Sequence, residues 1–152
     1  MQYPQIQRII GILLMLFSTS MLPAAGVGLY YNEPAMNAFL SGFAITMVAG
    51  ALIWYPVHGR RNELRTRDGY LITVLFWLVL GLFGAVPLWL LEMPDLSVAD
   101  AVFESFSGLT TTGATVITGL DTLPRALLYY RQQLQWFGGM GIIVLAVAIL
   151  PM

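Results

Sequence analysis

The sequence alternates between long apolar runs and short polar breaks. The runs cover Ile9 to Tyr31, Ala35 to Val57, Tyr70 to Leu91 and Gln133 to Met152. A helix needs about 20 predominantly apolar residues to cross the hydrocarbon layer of a bilayer. Each run reaches that length, so the pattern predicts four transmembrane helices.

The first run also has features of a signal peptide. Arg8 precedes its apolar core, and Pro23-Ala24-Ala25 resembles a cleavage site. The apolar character nevertheless continues beyond that tripeptide, and Tyr30 and Tyr31 suit a membrane interface. A retained transmembrane helix is therefore the favoured interpretation.

A fifth apolar stretch, from Val98 to Leu109, is too short to cross a membrane. As a helix rising about 1.5 Å per residue it is roughly 18 Å long, which reaches only mid-membrane. Ser97, followed three residues later by Asp100, fits the pattern that caps a helix start. Gly108 permits the turn that ends such a helix. We predict a half-length helix whose partly negative C-terminal end points into the bilayer, where it stabilises a cation.

The segment that follows is polar in otherwise apolar surroundings. Three glycines lie in residues 105–119, together with hydroxyl side chains at Ser105, Ser107, Thr110, Thr111, Thr112 and Thr115. Polar, irregular backbone is tolerated at membrane depth only where protein surrounds it or where it lines a water-filled path. The segment therefore indicates a pore rather than an anchor.

The chemistry of residues 110–115 suits a filter for potassium. Small residues and Gly113 allow successive backbone carbonyls to face one axis, and rings of carbonyls can replace the hydration shell of potassium. The absence of carboxylates from the segment favours a monovalent cation. The alternative is a Thr- and Gly-rich turn outside the membrane, because such clusters are common in loops. The capped half-length helix before the segment favours a re-entrant pore loop.

Composition places the chain in the membrane and excludes several kinds of site. Hydrophobic residues make up 58% of the sequence and charged residues 10%, and the mean hydropathy is +0.76. The net charge of −1 does not suggest a nucleic-acid partner. Without cysteine, thiol chemistry is excluded, and the single histidine, His58, argues against a metal enzyme. We find no catalytic constellation, so we expect neither an enzyme nor a bound cofactor.

The charged loops predict how the chain crosses the membrane. Four of the seven cationic residues, all arginines, lie in the loop from His58 to Gly69. Cytoplasmic loops are enriched in Arg and Lys, so this loop and the N-terminus with Arg8 are predicted to be cytoplasmic. The acidic turn at Glu33 and the acidic segment from Glu92 to Asp95 then lie outside.

Two motifs carry a resemblance to a known family. The sequence FESFSGLTTTGATV, followed by QWFGGMGIIVLAVAILPM, resembles the first pore repeat of the Trk/Ktr/HKT potassium-transporter superfamily. It is most similar to the bacterial Trk-type potassium-uptake membrane subunit, and the resemblance covers essentially the whole chain. It implies potassium uptake across the bacterial inner membrane by four helix–loop–helix repeats, each supplying a quarter of the filter. It also implies a dimer that binds a cytoplasmic nucleotide-regulated ring.

The candidate residues form two groups. The resemblance assigns the ion-binding residues of the filter, and a second group supports the pore helix. The ion-binding filter positions are Thr110, Thr111, Thr112, Gly113, Ala114 and Thr115. Potassium is expected at backbone and hydroxyl oxygens of Thr111, Thr112 and Gly113. Glu104 is an ionisable residue midway along the half-length helix, which is a costly position in a membrane. We predict that Glu104 holds the pore helix in place, with Arg131 as its partner.

The predicted fold is an all-α integral membrane protein with a potassium-channel-like repeat. Residues 1–69 form two N-terminal transmembrane helices and the cytoplasmic arginine-rich loop, and residues 70–152 form the first pore repeat. Within that repeat, we predict an outer helix over 70–91, a pore helix over 98–109, a filter over 110–115 and an inner helix over 133–152.

One filter segment cannot surround an ion, so further segments are required. Either they belong to the same, longer chain, which we favour, or four copies of this chain assemble. The competing function is a non-conducting one, as a truncated fragment or as an assembly or regulatory membrane subunit. The expected partners are the potassium ion as substrate, membrane lipid, the remaining pore repeats and a cytoplasmic nucleotide-binding regulatory subunit, with no nucleic acid.

Overall fold

The computed structural model describes residues 3–59 and 66–149, and all regular structure within them is helical. The six α-helices are α1 (Tyr3–Thr19), α2 (Met21–Tyr30), α3 (Ala35–Trp54), α4 (Thr66–Trp89), α5 (Val98–Leu109) and α6 (Arg125–Ile149). Short 3₁₀ turns follow at Tyr55–Val57, after α3, and at Leu120–Thr122, before α6. The chain is thus an all-α protein over its described part.

Three helical segments are long and apolar enough to cross a membrane. Within the described residues these are Tyr3–Tyr30, Ala35–Val57 and Asp68–Trp89. They correspond to the first three predicted spans, so the chain is a membrane protein. The fourth predicted span, 133–152, lies in α6 as far as Ile149, and residues 150–152 fall outside the described part. Residues 60–65 of the arginine-rich loop also fall outside it.

The first predicted span is broken near its middle, at Ser20 between α1 and α2. Pro23 explains the break, because a proline inside a helix has no N–H to donate four residues back and its ring crowds the carbonyl at that position. That carbonyl belongs to Thr19, the last residue of α1. The span is therefore two helical pieces rather than one straight helix.

Two helices of the pore repeat begin earlier than predicted, α4 by four residues and α6 by eight. The outer helix α4 begins at Thr66 and ends at Trp89 rather than covering 70–91, and the inner helix α6 begins at Arg125 rather than at 133. The hydropathy pattern identified only the apolar part of each helix. Helix ends depend instead on hydrogen bonding. Helix α4 begins with the polar turn TRDG, and α6 begins with the mixed segment RALLYYRQ, which the hydropathy pattern left out.

The N-terminal helices pack on each other through close backbone contact. Gly11 of α1 lies against Gly50 of α3, and a methyl group added at Gly11 would lie 2.9 Å from the Gly50 carbonyl oxygen. Helix α3 also contacts α4, where Gly42 faces Pro87. Helix α4 in turn packs against α5, and α5 packs against α6. The helices of the pore repeat therefore pack against the N-terminal helices.

Tyr130 of α6 lies at the centre of the apolar core and is fully buried. Its ring packs edge-on against Phe39 of α3, with centroids 5.1 Å apart, and its hydroxyl donates to the Gly84 carbonyl of α4 at 3.1 Å. A buried phenol is tolerated when its hydroxyl finds a partner. This one residue therefore fixes α6 against both α3 and α4.

Candidate ion filter

Helix α5 covers the residues predicted for the pore helix, Val98–Leu109, and begins at the predicted cap. The Asp100 backbone N–H donates to Ser97 Oγ at 3.1 Å, and that hydroxyl donates to Asp100 Oδ2 at 2.7 Å. The opposite end is buried against α4, where Gly81 leaves room for the Phe106 ring. The helix is thus held at a defined depth beside α4.

The chain leaves α5 through a hydrogen-bonded C-terminal turn. Thr111 N–H donates to the Gly108 carbonyl at 2.9 Å, and Thr112 N–H donates to the Ser107 carbonyl at 3.0 Å. This pair of bonds defines the Schellman motif, in which the residue after the helix is left-handed and is usually glycine. Here that residue is Thr111, with φ of 57°. The amides of the filter therefore point back to the pore helix.

A threonine at positive φ is an unusual feature of this turn. The left-handed region is sparsely populated by residues other than Gly, Asn and Asp, and a β-branched residue there is a genuine outlier. Such conformations persist only where surrounding structure enforces them, and they cluster at functional sites. The strain at Thr111 marks the start of the filter as a candidate site without reference to any motif.

Backbone handedness alternates along the start of the filter. Thr111 and Gly113 have φ of 57° and 74°, whereas Thr112 between them has no positive φ. The N–H groups of all three residues donate back to α5, that of Thr111 to the Gly108 carbonyl and those of Thr112 and Gly113 to the Ser107 carbonyl. These N–H groups are therefore occupied by the end of the pore helix.

Three adjacent carbonyls have no internal partner. Among the hydrogen bonds of the described residues, none is accepted by the carbonyl oxygens of Thr111, Thr112 or Gly113, and all three residues are exposed. The carbonyls on either side are engaged: that of Thr110 accepts from Thr111 Oγ1 at 2.7 Å, and that of Ala114 accepts from Ser107 Oγ at 2.6 Å. The open carbonyls belong to the three residues predicted to hold potassium.

Glu104 connects the pore helix to the far end of the filter. It is 3% exposed. Its Oε1 accepts from Thr115 Oγ1 at 2.5 Å and from the Val116 N–H at 2.7 Å. Its Oε2 lies 3.0 Å from Arg131 Nε of α6. A buried charge is tolerated when it is paired and its lone pairs are satisfied, and both conditions hold here.

The structure divides the six predicted filter residues into two groups. The carbonyls of Thr111, Thr112 and Gly113 are open, and Thr110 and Ala114 are tied by hydrogen bonds to α5. Thr115 is tied to α5 through its hydroxyl, while its carbonyl accepts no hydrogen bond within the described residues. No group of three or more His, Asp or Glu side chains that could hold a metal occurs in residues 3–59 and 66–149.

Two supporting residues have no role in the sequence-based prediction. Ser107 ties the Ala114 carbonyl, and its hydroxyl was counted only as part of a polar segment. Gly138 of α6 lies against the C-terminal end of α5, where an added methyl group would overlap the Leu109 carbonyl. At Gly139 the same group would lie 4.0 Å from the Thr111 methyl. The contact of Gly138 with Leu109 depends on the fold and has no signal in the local sequence.

Comparison with known proteins gives consistent matches. The sequence model of the family TrkH, cation transport protein, matches residues 35–152. The Trk system potassium uptake protein TrkH of Halomonas elongata is 60% identical over 151 residues, covering 99% of this chain and 31% of that protein. The corresponding protein of Escherichia coli K12 is 54% identical over the same length.

A solved structure is similar over the whole chain. The crystal structure of the potassium transporter TrkH from Vibrio parahaemolyticus superposes with a TM-score of 0.94 at 57% identity, covering 100% of this chain and 32% of that one. The chain therefore spans about a third of the length of the relatives that it matches.

Proposed function

We propose that this chain, which belongs to the TrkH family of cation transport proteins, supplies one of the four selectivity-filter segments of a potassium-uptake transporter. The relatives named above are potassium uptake proteins, and this chain matches about their first third in length. The proposal concerns a segment of a transporter. Further segments complete the pore.

The row of open carbonyls at Thr111, Thr112 and Gly113 carries this proposal. A potassium ion entering a filter exchanges its hydration shell for carbonyl oxygens. Each of four segments would contribute its row of carbonyls around a common axis. Among the described residues, the carboxylate nearest in sequence to the row is Glu104, which pairs with Arg131 and accepts from Thr115 and Val116. Neutral ligands of this kind suit a monovalent cation that must leave as readily as it enters.

Passage requires no covalent step. The α5 C-terminus contributes a partial negative charge behind the filter, which lowers the cost of removing water from a cation. With the arginine-rich loop in the cytoplasm, a membrane potential negative inside drives cations inwards by about 2.3 kcal/mol per charge per 100 mV. We propose this orientation, a location in the bacterial inner membrane and a cytoplasmic nucleotide-binding regulatory partner.

A chimaera tests the proposal. Residues 1–152 replace the matching segment of the Vibrio parahaemolyticus relative, and the product is expressed in bacteria that lack their own potassium uptake. We expect potassium-dependent growth and saturable uptake of rubidium. Gly113→Asp should abolish uptake, because it places a charged side chain on a left-handed residue in the row of carbonyls.

Gly59→Asp is the matched control for that substitution. Gly59 is exposed, and an added methyl group meets nothing within 4 Å. The control should transport at the level of the unaltered chimaera. Uptake that persists in the Gly113→Asp variant would contradict the filter assignment. A chimaera that reaches the membrane but takes up no rubidium would favour the non-conducting alternative.

A further inference from the structure

The N-terminus of α6 has no local cap. The first N–H groups of a helix need partners from outside the helix. The residues just before Arg125 are Leu123 and Pro124, and neither side chain carries a hydrogen-bond acceptor. The partner comes from a distant part of the sequence, the turn between α2 and α3.

Glu33 supplies that cap from across the bundle. Its Oε1 accepts from the Arg125 N–H at 2.8 Å, and its Oε2 accepts from the Ala126 N–H at 3.1 Å. A carboxylate at a helix N-terminus is also favoured by the helix dipole. The Arg125 guanidinium lies 4.1 Å from the centre of the Tyr31 ring, which adds a cation–π contact. We name Tyr31, Glu33 and Arg125 the clasp.

The turn that carries the clasp is itself fixed. The Glu33 N–H donates to the Gly28 carbonyl of α2 at 2.8 Å, and its carbonyl accepts from the Met36 N–H of α3 at 3.2 Å. The backbone of Glu33 is therefore bonded to both α2 and α3. Its carboxylate links these two helices to the N-terminus of α6.

The clasp lies at the N-terminus of α6, and the same helix carries Arg131, which contacts Glu104. Arg131 follows Arg125 by six residues, or about 9 Å along a helix. A slip of one residue would move α6 by about 1.5 Å and turn it by about 100°. Either change would break the 3.0 Å contact between Arg131 Nε and Glu104. Glu104 in turn holds the Val116 N–H and the Thr115 hydroxyl.

We propose that Glu33 is a positioning residue of the filter. It fixes the axial position of α6 relative to the N-terminal helices, and thereby the Arg131–Glu104 contact that holds the chain at Thr115 and Val116. The N-terminal helices then help to set the filter as well as to anchor the chain. The effect on transport rests on the proposed function, whereas the effect on the filter backbone does not.

The test compares Glu33→Gln with Glu33→Asp and Glu92→Gln in the chimaera. Glutamine leaves one acceptor and removes the charge, whereas aspartate keeps the carboxylate. Glu92 is an exposed acid that lines the same cavity as Glu33, so its substitution controls for charge at that end of the bundle. Two readouts are taken: the KM and Vmax of rubidium uptake, and hydrogen exchange of the backbone amides in residues 112–119 of the purified protein.

Glu33→Gln should raise the KM for rubidium roughly fivefold, the fold-change that matches the typical cost of losing a helix cap. It should also speed exchange in residues 112–119. With Glu33→Asp, the KM and the exchange rate should stay close to those of the unaltered chimaera. Glu92→Gln should change neither quantity. A purely structural cap would lower the amount of protein and hence Vmax, without changing KM.

Faster exchange confined to Arg125 and Ala126, with an unchanged filter segment and unchanged KM, would overturn the proposal. If the unaltered chimaera takes up no rubidium, the proposed function fails, and the exchange measurement still decides whether Glu33 positions the filter. If Glu33→Gln does not reach the membrane, the same comparison is made with Glu33→Asp, which should show a smaller change in the same direction.

Discussion

The contact between α1 and α3 and the contact between α5 and the filter are stabilised in different ways. The first depends on apolar burial and on the close approach of Gly11 to Gly50. The second depends on directional hydrogen bonds, one that Ser107 donates to the Ala114 carbonyl and one that Glu104 accepts from the Val116 N–H. Apolar burial stabilises many arrangements that are similar in shape, whereas hydrogen bonds to a backbone specify where its atoms lie. The filter is the part of the chain in which atomic position matters.

The largest difference should appear between two adjacent glycines of α6. Gly138→Ala should abolish uptake by the chimaera, because the new methyl group would overlap the Leu109 backbone at the base of the filter. Gly139→Ala is the matched control and should keep most of the uptake, since its methyl group makes an ordinary contact with Thr111 at 4.0 Å. Rubidium uptake and the amount of protein in the membrane are measured for both. Equal losses in the two variants would contradict the packing assigned to Gly138.

Gly11→Ala tests the close contact between α1 and α3. Its methyl group would lie 2.9 Å from the Gly50 oxygen and from Trp54 of α3. It should lower the thermal stability of the purified chimaera, because two helices must separate slightly. The KM for rubidium of the protein that remains should not change. A raised KM with normal stability would show that α1 and α3 act on ion binding directly.

Glu104→Gln should be the next most damaging change. It leaves Arg131 as a mostly buried charge without its partner, and breaking a buried ion pair costs about 3–5 kcal/mol. We expect little protein in the membrane. The double variant Glu104→Gln with Arg131→Gln removes both charges and should recover much of that amount, measured by quantitative immunoblotting. No recovery in the double variant would contradict the view that the uncompensated arginine causes the loss.

Two buried serines should differ in selectivity more than in stability. Ser107 Oγ ties the Ala114 carbonyl at 2.6 Å, whereas Ser18 Oγ in α1 donates to the Met15 carbonyl of its own helix at 2.6 Å. Loss of either bond costs about 0.5–1.5 kcal/mol. Ser107→Ala should reduce the preference for potassium over sodium, measured as sodium inhibition of rubidium uptake, because it releases one filter carbonyl. Ser18→Ala should leave that preference unchanged, and a similar change in both would refute the role of Ser107.

The smallest effect is expected at Thr111. Thr111→Gly keeps the left-handed conformation without its steric cost, so uptake should stay within about twofold of the unaltered chimaera. Gly113→Ala is the converse change and should reduce uptake more, because it adds a side chain at φ of 74°. Thr111→Gly abolishing uptake would show that the Thr111 side chain, rather than its backbone, is required.

Local sequence patterns predicted a large part of this arrangement. The short apolar run and the Ser97 cap gave the bounds of α5, since a helix of that length is specified by nearby residues. The cost of an ionisable residue in a membrane predicted that Glu104 needs a partner, and Arg131 lies in contact with it. The polar segment at 110–115 was identified as the candidate filter because polar, irregular backbone is tolerated at membrane depth only inside protein or beside a water-filled path.

The remainder depends on contacts between distant residues. The cap of α6 comes from Glu33, and nothing near Arg125 in the sequence indicates it. The division of the filter into open and engaged carbonyls depends on Ser107, whose hydroxyl has several available partners until the chain is folded. The left-handed Thr111 runs against the local preference of a β-branched residue, so no propensity argument predicts it.

We propose that the carbonyls of Thr111, Thr112 and Gly113 bind the permeating ion. The most direct test is a crystal structure of the chimaera grown in rubidium, with anomalous scattering used to locate the ions. We predict anomalous peaks on the pore axis within bonding distance of these three carbonyls, and their loss when rubidium is replaced by sodium. Rubidium bound only elsewhere, with the three carbonyls turned away from the axis, would contradict their assignment as ion ligands.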